Sequence, residues 1–304
     1  MSARQPDPVT RCRVGLGCAG AWGKPWFPER EARALVQRSL ERGVAMFDTG
    51  PSYAGGLAEE RLGRALRGRS LDGLLLSTKV GTHPQGGGRR YHDLSTVAVQ
   101  RSVDASRRRL GVDCIPLLYL HGPNPWELTT ELSDQLEALR ARGQVAHFGV
   151  NSYDMQVIEQ AATFPVFDTF MIDYNLLRPE REPLLARLSA RGHRIVAGSA
   201  LANQLHAPGF FRPRRLQDLW YLMRMLARYR EDRQAARRLS FLSQVPGWTP
   251  AQLALAYVLD NPHVDFAVFG TTRIPHLDEN LARCDAALPP AVRKRLSDLR
   301  HRPA

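Results

Sequence analysis

Strand-like and helix-like segments alternate eight times along this chain of 304 residues. Each strand-like segment is at most seven residues long and continuously apolar, which is typical of strands buried on both faces of a parallel sheet. The eight segments are 13–17, 45–49, 74–80, 116–121, 147–151, 169–175, 194–198 and 266–270. This alternation predicts an α/β fold, a (β/α)8 TIM barrel that occupies residues 1–304 as one domain.

The intervening segments show the apolar spacing of helices, with Ser or Thr at several starts and Gly after several ends. A further helix after the eighth unit is predicted at the C-terminus. The predicted helices are 29–43, 58–68, 95–111, 127–143, 154–163, 180–192, 249–261, 276–283 and 290–300. A doubly wound sheet is the structural alternative, but no GxGxxG motif opens a helix after the first strand, because "GLGCAGAWG" continues into "KPWFPE".

Two segments depart from the alternation. Residues 82–93, "THPQGGGRRYHD", are rich in glycine and predict a mobile loop. Residues 202–248 form a long insert between the seventh and eighth strands. Within it, 216–239 predicts an amphipathic helix whose inner side carries Leu219, Leu222, Met223 and Leu226.

The overall charge and the cysteines exclude several classes of protein. The net charge is +12, but the basic residues are nearly all arginines spread along the chain, so we expect no nucleic-acid partner. No apolar run is long enough for a membrane span, and the polar N-terminus lacks a signal sequence, so we expect a cytoplasmic protein. Cys12, Cys18, Cys114 and Cys284 are scattered and predict buried free thiols rather than a zinc site or a disulfide framework.

Ionisable side chains stand at the ends of three consecutive predicted strands. Asp48 ends the second, Lys79 the third and His121 the fourth, while Tyr53 follows Asp48 in the stretch "FDTGPSY". In a TIM barrel the carboxyl ends of the strands form the cleft, so these four side chains are expected to converge. Lys79 is one of only three lysines and lies in an apolar strand. A buried lysine can shift its pKa and lose its proton, whereas an arginine cannot do so usefully.

Together these groups predict a site that donates a proton. A charged Lys79 lowers the pKa of a neighbouring tyrosine, and Asp48 keeps the buried ammonium charged. Tyr53 then protonates an oxygen that gains negative charge, and His121 donates a hydrogen bond to it. A metal site made from Asp48 and His121 is disfavoured because the ammonium of Lys79 opposes a bound cation. Each residue alone also has a structural explanation, such as turn capping or packing.

The same residues lie in segments that resemble the aldo-keto reductase family, in chain order and over nearly the whole sequence. These segments are "FDTGPSYAGGLAEERLGRAL", "LLLSTKV", "LLYLHGP", "GQVAHFGVNSYD" and "FGTTRIPHLDENL". The resemblance implies that Asp48, Tyr53, Lys79 and His121 form a catalytic tetrad with Tyr53 as the general acid. It also implies that NADPH lies across the barrel mouth.

The resemblance assigns the cofactor contacts to residues on most of the strand ends. In the last segment, backbone N–H groups and the threonine hydroxyls suit phosphate oxygens, and Arg273 suits a 2′-phosphate. The expected contacts are Gly17, Cys18, Asn151, Ser152, Met171, Ser199, Leu201, Gly270, Thr271, Thr272, Arg273, Glu279 and Asn280. The resemblance implies that Asn151, Ser152 and Met171 hold the nicotinamide carboxamide, where the family usually has Ser, Asn and Gln; the first two are exchanged and can still hydrogen-bond an amide. Three differences change the chemistry: Met171 replaces the glutamine, Gly198 an aromatic residue and His276 an arginine. His276 weakens the preference for NADP over NAD, which is nevertheless retained.

Trp22 and Trp126, in the loops after the first and fourth strands, predict apolar walls for a carbonyl substrate, although edge packing would also explain them. The favoured function is an NADP(H)-dependent oxidoreductase that acts as a carbonyl reductase or alcohol dehydrogenase. Because Met171 and Gly198 loosen the implied nicotinamide site, a redox-neutral elimination or isomerisation by the same tetrad remains open. A non-catalytic interaction protein is a third possibility. The sequence leaves the substrate, the direction and the choice between monomer and homo-oligomer open.

Overall fold

A closed barrel of eight parallel strands forms the centre of the protein, as the sequence predicted. The computed structural model describes residues 12–85, 89–202 and 238–300. Each barrel strand pairs with the next one along the chain, and the last pairs with the first. The strands are β1 (Val14–Gly17), β2 (Met46–Asp48), β3 (Leu75–Val80), β4 (Ile115–His121), β5 (Val145–Asn151), β6 (Phe167–Ile172), β7 (Arg194–Ala197) and β8 (Phe266–Phe269).

Helices follow the strands, and several begin at a side chain that accepts a hydrogen bond from the first turn. Ser95, Thr129, Asp154 and Thr249 accept in this way from backbone N–H groups. The helices are α1 (Glu29–Glu41), α2 (Leu57–Leu66), α3 (Thr96–Leu110), α4 (Thr130–Ala141), α5 (Met155–Ala161), α6 (Glu182–Ala190), α7 (Pro250–Asp260), α8 (Ile274–Leu281) and α9 (Pro290–Arg300). The predicted C-terminal helix is therefore confirmed as α9.

The apolar core has two parts. The larger one fills the space between the outer face of the barrel and the surrounding helices. The smaller one lies inside the barrel and is contributed by β2, β4, β6, β7 and β8 through six buried residues: Met46, Leu117, Tyr119, Met171, Val196 and Val268. The inner core closes the barrel below its carboxyl end, so polar side chains at that end stand on a packed apolar floor.

The glycine-rich segment is more regular than predicted. Thr82–Pro84 pairs antiparallel with Arg90–His92, so this segment forms a short hairpin after β3 where a mobile loop was expected. The backbone of Gly81, with φ near +102°, allows the chain to turn from the barrel into the hairpin. Residues 86–88, at the hairpin tip, lie outside the described part of the chain.

The connection between β7 and β8 is long, as predicted, but most of it lies outside the described residues. This applies to nearly all of the helix predicted over 216–239 and to its proposed inner side chains Leu219, Leu222, Met223 and Leu226. The chain is described again from residue 238, where a short 3-10 turn, Ser240–Gln244, precedes α7. Every helix in the described ranges is too short or too polar to span a membrane.

The strand register brings the predicted site residues to one rim. Gly17 of β1 is level with Asp48 of β2, which is in turn level with Ser77 of β3. On the next part of the rim, His121 of β4 is level with Asn151 of β5. Asn151 is level with Met171 of β6. Side chains that are far apart in the sequence are therefore neighbours around the carboxyl end of the barrel.

Candidate active site

A buried ammonium group forms the centre of the rim. Lys79 projects from β3 and is 1% exposed. Its Nζ atom donates hydrogen bonds to both carboxylate oxygens of Asp48 and to the main-chain oxygen of Thr49, each over 2.7 Å. Ser77 Oγ donates a further hydrogen bond, over 2.8 Å, to Asp48 Oδ1. The three N–H donors of a charged lysine thus have three acceptors.

The pKa of Lys79 reflects two opposing effects. Burial is the larger single effect and favours the neutral amine. The Asp48 carboxylate and the nearby Tyr53 act in the opposite direction, and together they raise the pKa of Lys79 above its ordinary value. The lysine therefore carries its charge at neutral pH inside the barrel.

Tyr53 reaches this ammonium group from a tight turn between β2 and α2. Its ring centre lies 5.1 Å from Lys79 Nζ. The chain then passes through three residues with positive φ, namely Ala54, Gly55 and Gly56, before α2 begins. Two of them are glycines, which adopt this conformation without the penalty that a Cβ imposes. Ala54 carries that penalty, and such local strain is common where a chain must present a functional side chain.

The pKa of Tyr53 corrects one expectation from the sequence. Lys79 does act to lower it, as predicted, but burial of the phenol is the larger effect and the Asp48 carboxylate adds to it. The net result is a pKa raised above the ordinary tyrosine value. The sign of the lysine's effect was predicted correctly, whereas the extent to which the fold encloses the phenol is not evident from the sequence. In the free protein Tyr53 is accordingly a protonated phenol at neutral pH.

His121 completes the cluster from the end of β4. Its ring meets the Tyr53 ring edge to face, with the ring centres 6.1 Å apart. Burial, reinforced by the positive charge of Lys79, lowers the pKa of His121 to about 3. The imidazole is therefore neutral at physiological pH, and a neutral ring has one N–H donor and one acceptor nitrogen. Among the described residues, the buried Nδ1 atom has no hydrogen-bond partner.

The residues predicted to hold the nicotinamide are adjacent, but some of their hydrogen-bonding groups already have partners within the protein. Asn151 Nδ2 and the backbone N–H of Ser152 both donate to the main-chain oxygen of Met171, each over 3.3 Å. The Met171 side chain packs into the inner core. A Cβ built on Gly198 would lie 3.2 Å from Met171 Cγ. The two departures from the family pattern, Met171 and Gly198, are thus neighbours, and a side chain at position 198 would crowd Met171.

Further predicted cofactor contacts lie on the opposite side of the rim, around β1, β8 and the loop after β7. Gly270 approaches β1 so closely that a Cβ there would be 3.3 Å from the main-chain oxygen of Gly17. The Cys18 thiol is buried, and the Cys18 N–H donates to the main-chain oxygen of Asp48 over 2.7 Å. In the loop after β7, Ser199 has a positive φ of 55°. The next expected contact, Leu201, is buried.

The turn after β8 leads directly into α8. Thr271 Oγ1 accepts from the backbone N–H of Arg273, and the Arg273 side chain is exposed. Further along α8, Asn280 is buried, and its Oδ1 atom has no partner among the described residues. Glu279 is partly buried, and its main-chain oxygen accepts from Gln252 Nε2 over 2.8 Å. Thr272 is also partly buried. The predicted phosphate contacts and the predicted cofactor contacts Glu279 and Asn280 therefore lie on one turn and the helix that follows it.

The two tryptophans predicted to line the substrate cleft differ in their exposure to solvent. Trp126 is 74% exposed in a 3-10 turn, Pro125–Glu127, at the carboxyl end of the barrel, and its role as a wall stays a prediction. Trp22 is 1% exposed and belongs to the outer core. As a wall of the cleft mouth it is a wrong prediction, because the loop after β1 folds back on α2. Arg61 in α2 donates to the Trp22 main-chain oxygen over 2.7 Å.

Two features that sequence reasoning missed support the central lysine. Ser77 is two positions before Lys79, so it shares the inner face of β3, and this period-two spacing is the signal that could have identified it. Thr78 faces outward and donates to the fully buried Glu59 of α2 over 2.6 Å. Arg109 of α3 pairs with the other oxygen of Glu59 over 2.9 Å. A buried carboxylate thus links β3 to two helices directly behind the site.

The family assignment follows from comparison with known proteins. The model of the aldo/keto reductase family matches residues 13–300, which is nearly the whole chain. The chain belongs to the aldo-keto reductase family. The resemblance read from the sequence is thereby confirmed, and so is the barrel architecture of this aldo-keto reductase.

The individual relatives have low sequence identity, but each match extends over most of both chains. This aldo-keto reductase is 25% identical to the uncharacterized oxidoreductase YqkF of Bacillus subtilis, over 90% of this chain and 87% of that protein. The holo form of the aldo-keto reductase AKR11C1 from Bacillus halodurans superposes with a TM-score of 0.78 at 26% identity, covering 94% of this chain and 91% of that one. An aldo/keto reductase from Klebsiella pneumoniae in complex with NADP and acetate superposes with a TM-score of 0.71 at 26% identity, covering 96% and 92%.

Proposed function

We propose that this aldo-keto reductase transfers hydride between NADP(H) and a small carbonyl or alcohol substrate, with Tyr53 as the general acid or base. One observation carries the proposal: a charged ammonium, Lys79, is buried with its Asp48 counter-ion 5.1 Å from the ring centre of a protonated phenol. A buried charge is costly to maintain. Placed beside a phenol, it stabilises the phenolate that remains when the proton leaves.

The residues on the rim fit a dinucleotide with a phosphate-rich end. Within the described chain, no side chain caps the N-terminus of α8, and backbone N–H groups at such a terminus favour an anion. The exposed Arg273 at this terminus suits a 2′-phosphate. The buried, unpartnered Oδ1 of Asn280 can accept a hydrogen bond from an amine such as that of adenine. The Klebsiella pneumoniae relative in complex with NADP supports the same cofactor here.

The proposed reduction requires one proton, which must be delivered to the carbonyl oxygen of the substrate. When bound, NADPH would supply the hydride. Tyr53 gives its phenolic proton to the carbonyl oxygen as that oxygen gains negative charge, and Lys79 stabilises the phenolate that results. His121, which is neutral, donates a hydrogen bond to the same oxygen and so orients the carbonyl. In the oxidative direction, the Tyr53 phenolate takes the proton from the alcohol.

The Tyr53→Phe variant tests the catalytic assignment. It removes one oxygen atom and keeps the ring that faces His121, so we expect folding and NADPH binding to change little while carbonyl turnover falls by at least about a hundredfold. Turnover is followed with a panel of small aldehydes and ketones, and NADPH binding by quenching of tryptophan fluorescence. A variant that retains turnover, or that loses activity only because NADPH no longer binds, would contradict the role of Tyr53.

The cofactor assignment is tested separately with NADPH and NADH. We expect the wild-type protein to bind NADPH more tightly, and Arg273→Gln to reduce that preference by weakening NADPH binding alone. Thr272→Val, in the same turn, is the comparison: its hydroxyl is expected to contact a phosphate that both nucleotides share, so it should weaken NADPH and NADH alike. Equal binding of both nucleotides by the wild-type protein would remove the 2′-phosphate role from Arg273.

Nicotinamide absorbance during turnover distinguishes hydride transfer from redox-neutral chemistry at the same tetrad. In the proposed reaction one NADPH is consumed for each alcohol formed. Product formed without any loss of NADPH would instead favour elimination or isomerisation.

A further inference from the structure

Two cysteines from opposite ends of the chain meet on the amino-terminal side of the barrel. Cys12 immediately precedes Arg13 and β1, and Cys284 follows α8, 272 positions later. Their Sγ atoms are 3.9 Å apart, and both thiols are free. This pair is not predictable from the sequence, because the four cysteines form no recognisable spacing.

The surroundings of the pair give a small reagent access to it. Cys12 is buried, but Cys284 is partly exposed and lines a shallow cavity of about 260 Å³. Arg13, Leu259 and Asp260 form other walls of this cavity. Cys284 lies in the turn that joins α8 to α9, outside any helix or strand. A turn can move by the roughly 2 Å that separates the present contact from the S–S bond length of about 2.05 Å more easily than a barrel strand can.

The contact also favours a thiolate on one of the two sulfurs. The hydrogen bond with Cys284 lowers the pKa of Cys12, although burial acts in the opposite direction. The same hydrogen bond, together with burial, raises the pKa of Cys284, and either thiol can be the donor in this contact. A thiolate is the form of cysteine that attacks a disulfide.

We propose that Cys12 and Cys284 are a reversible redox pair that forms an intramolecular disulfide on reaction with a low-molecular-weight disulfide such as oxidised glutathione. One cysteine thiolate attacks the small disulfide and releases one small thiolate, which leaves a mixed disulfide on the protein. The second cysteine then attacks the protein sulfur and releases the other small thiolate. Two protein thiols are oxidised, one small disulfide is reduced to two thiols, and the two protons pass to the released thiolates.

The other two cysteines lack what this reaction needs. Cys18 is fully buried in the outer core, and burial raises its pKa well above the ordinary value. Cys114 is partly exposed, but its sulfur contacts the main-chain oxygen of Ile115 over 3.8 Å and has no second thiol in contact among the described residues. Cys12 and Cys284 are therefore the only proposed pair, and Cys114 serves as the internal control.

The experiment treats the folded full-length protein with oxidised glutathione, alkylates the remaining thiols, and maps the peptides by mass spectrometry. We expect the wild-type protein to lose two hydrogens in mass, to yield a linked peptide containing Cys12 and Cys284, and to return to the dithiol with dithiothreitol. Cys114→Ser should behave like wild type. Cys12→Ser and Cys284→Ser should form no such link, and Cys12→Ser should instead retain one glutathione on Cys284.

Each other result would overturn the proposal. These results are a wild-type protein that stays fully reduced, one that carries glutathione on Cys284 without forming the link, or a link that involves Cys114. Thermal unfolding provides a second readout that does not depend on chemistry at the active site. A link that closes nearly the whole chain restricts the unfolded state, so the oxidised protein should melt several degrees higher than the reduced one. An unchanged melting temperature in Cys12→Ser treated in the same way is the control.

Discussion

The ammonium of Lys79 is 2.7 Å from each carboxylate oxygen of Asp48, in the interior of a closed barrel. Both side chains are nearly inaccessible to solvent. Breaking such a pair by removing one partner is far more costly than replacing both, because the remaining charge stays buried without compensation. The pair therefore couples the stability of the barrel to the charge that tunes Tyr53.

Replacing Lys79 alone should destabilise the protein more than replacing the pair. We expect Lys79→Met to lower the free energy of unfolding by about 3–5 kcal/mol, since Asp48 is left as a buried carboxylate. Adding Asp48→Asn should restore a substantial part of that loss. Urea unfolding of the two single variants and the double variant measures the coupling. If the two single effects simply add, the ion pair does not have the energetic role inferred from its geometry.

The ionisation of Tyr53 gives a prediction about pH. Because burial raises the pKa of Tyr53 above its ordinary value of 10.0, the phenol should remain protonated through the neutral range. An ultraviolet difference titration of wild type against Tyr53→Phe should show no tyrosinate from this residue below about pH 10. For the same reason, reduction should lose rate only on the alkaline side, whereas oxidation should gain rate as the pH rises. Tyrosinate in the difference spectrum near neutral pH would show that Lys79 outweighs burial.

His121 should make the protein sensitive to acid. Its pKa is about 3 in the folded state, against an ordinary value of 6.5. Between these values the unfolded chain binds more protons than the folded one, so the free energy of unfolding falls as the pH is lowered from about 6.5 towards about 3. The expected loss is at most about 1.4 kcal/mol for each pH unit crossed.

The His121→Gln variant isolates this contribution, because glutamine can donate a hydrogen bond but does not titrate. Within each protein, the quantity to compare is the change in unfolding free energy between about pH 8 and about pH 4. We expect that change to be smaller in His121→Gln than in wild type. An equal change in both proteins would mean that His121 is not held neutral by the fold.

How much of this molecule was predictable depends on which physical signal each feature leaves in the sequence. The eight strands were readable because each is a short, continuous apolar run. Asp48, Lys79 and His121 could be predicted as site residues because each is an ionisable residue near the end of such an apolar run. Family resemblance supplied the rest of the rim, including Arg273 and Asn280.

What the sequence could not give was burial and contact between distant segments. Trp22 was read as a loop residue that lines a cleft, yet the fold buries it. The net direction of the pKa of Tyr53 depends on the depth of its enclosure, which no local pattern encodes. The approach of Cys12 to Cys284 depends on where a turn after α8 meets the start of β1. These features arise only when the barrel closes.

Gly63 of α2 gives a last prediction, because the position that it occupies admits no side chain. A Cβ built there would be 2.3 Å from the main-chain oxygen of Arg109 and 2.8 Å from that of Leu110. Glycine to alanine within a helix normally stabilises a protein by about 0.5–1 kcal/mol. Here α2 and α3 would have to separate, which typically costs about 1–3 kcal/mol.

We therefore expect Gly63→Ala to lower the free energy of unfolding, against the helix propensity of alanine. The resulting separation of the two helices should also loosen the contact of Glu59 with Arg109, which lies behind β3 and Lys79. Glu60→Ala, at a half-exposed position of the same helix, should change stability by no more than about 0.5 kcal/mol and is the matched control. Urea unfolding measures both variants. A Gly63→Ala protein as stable as wild type would show that α2 and α3 are not packed backbone to backbone at this point.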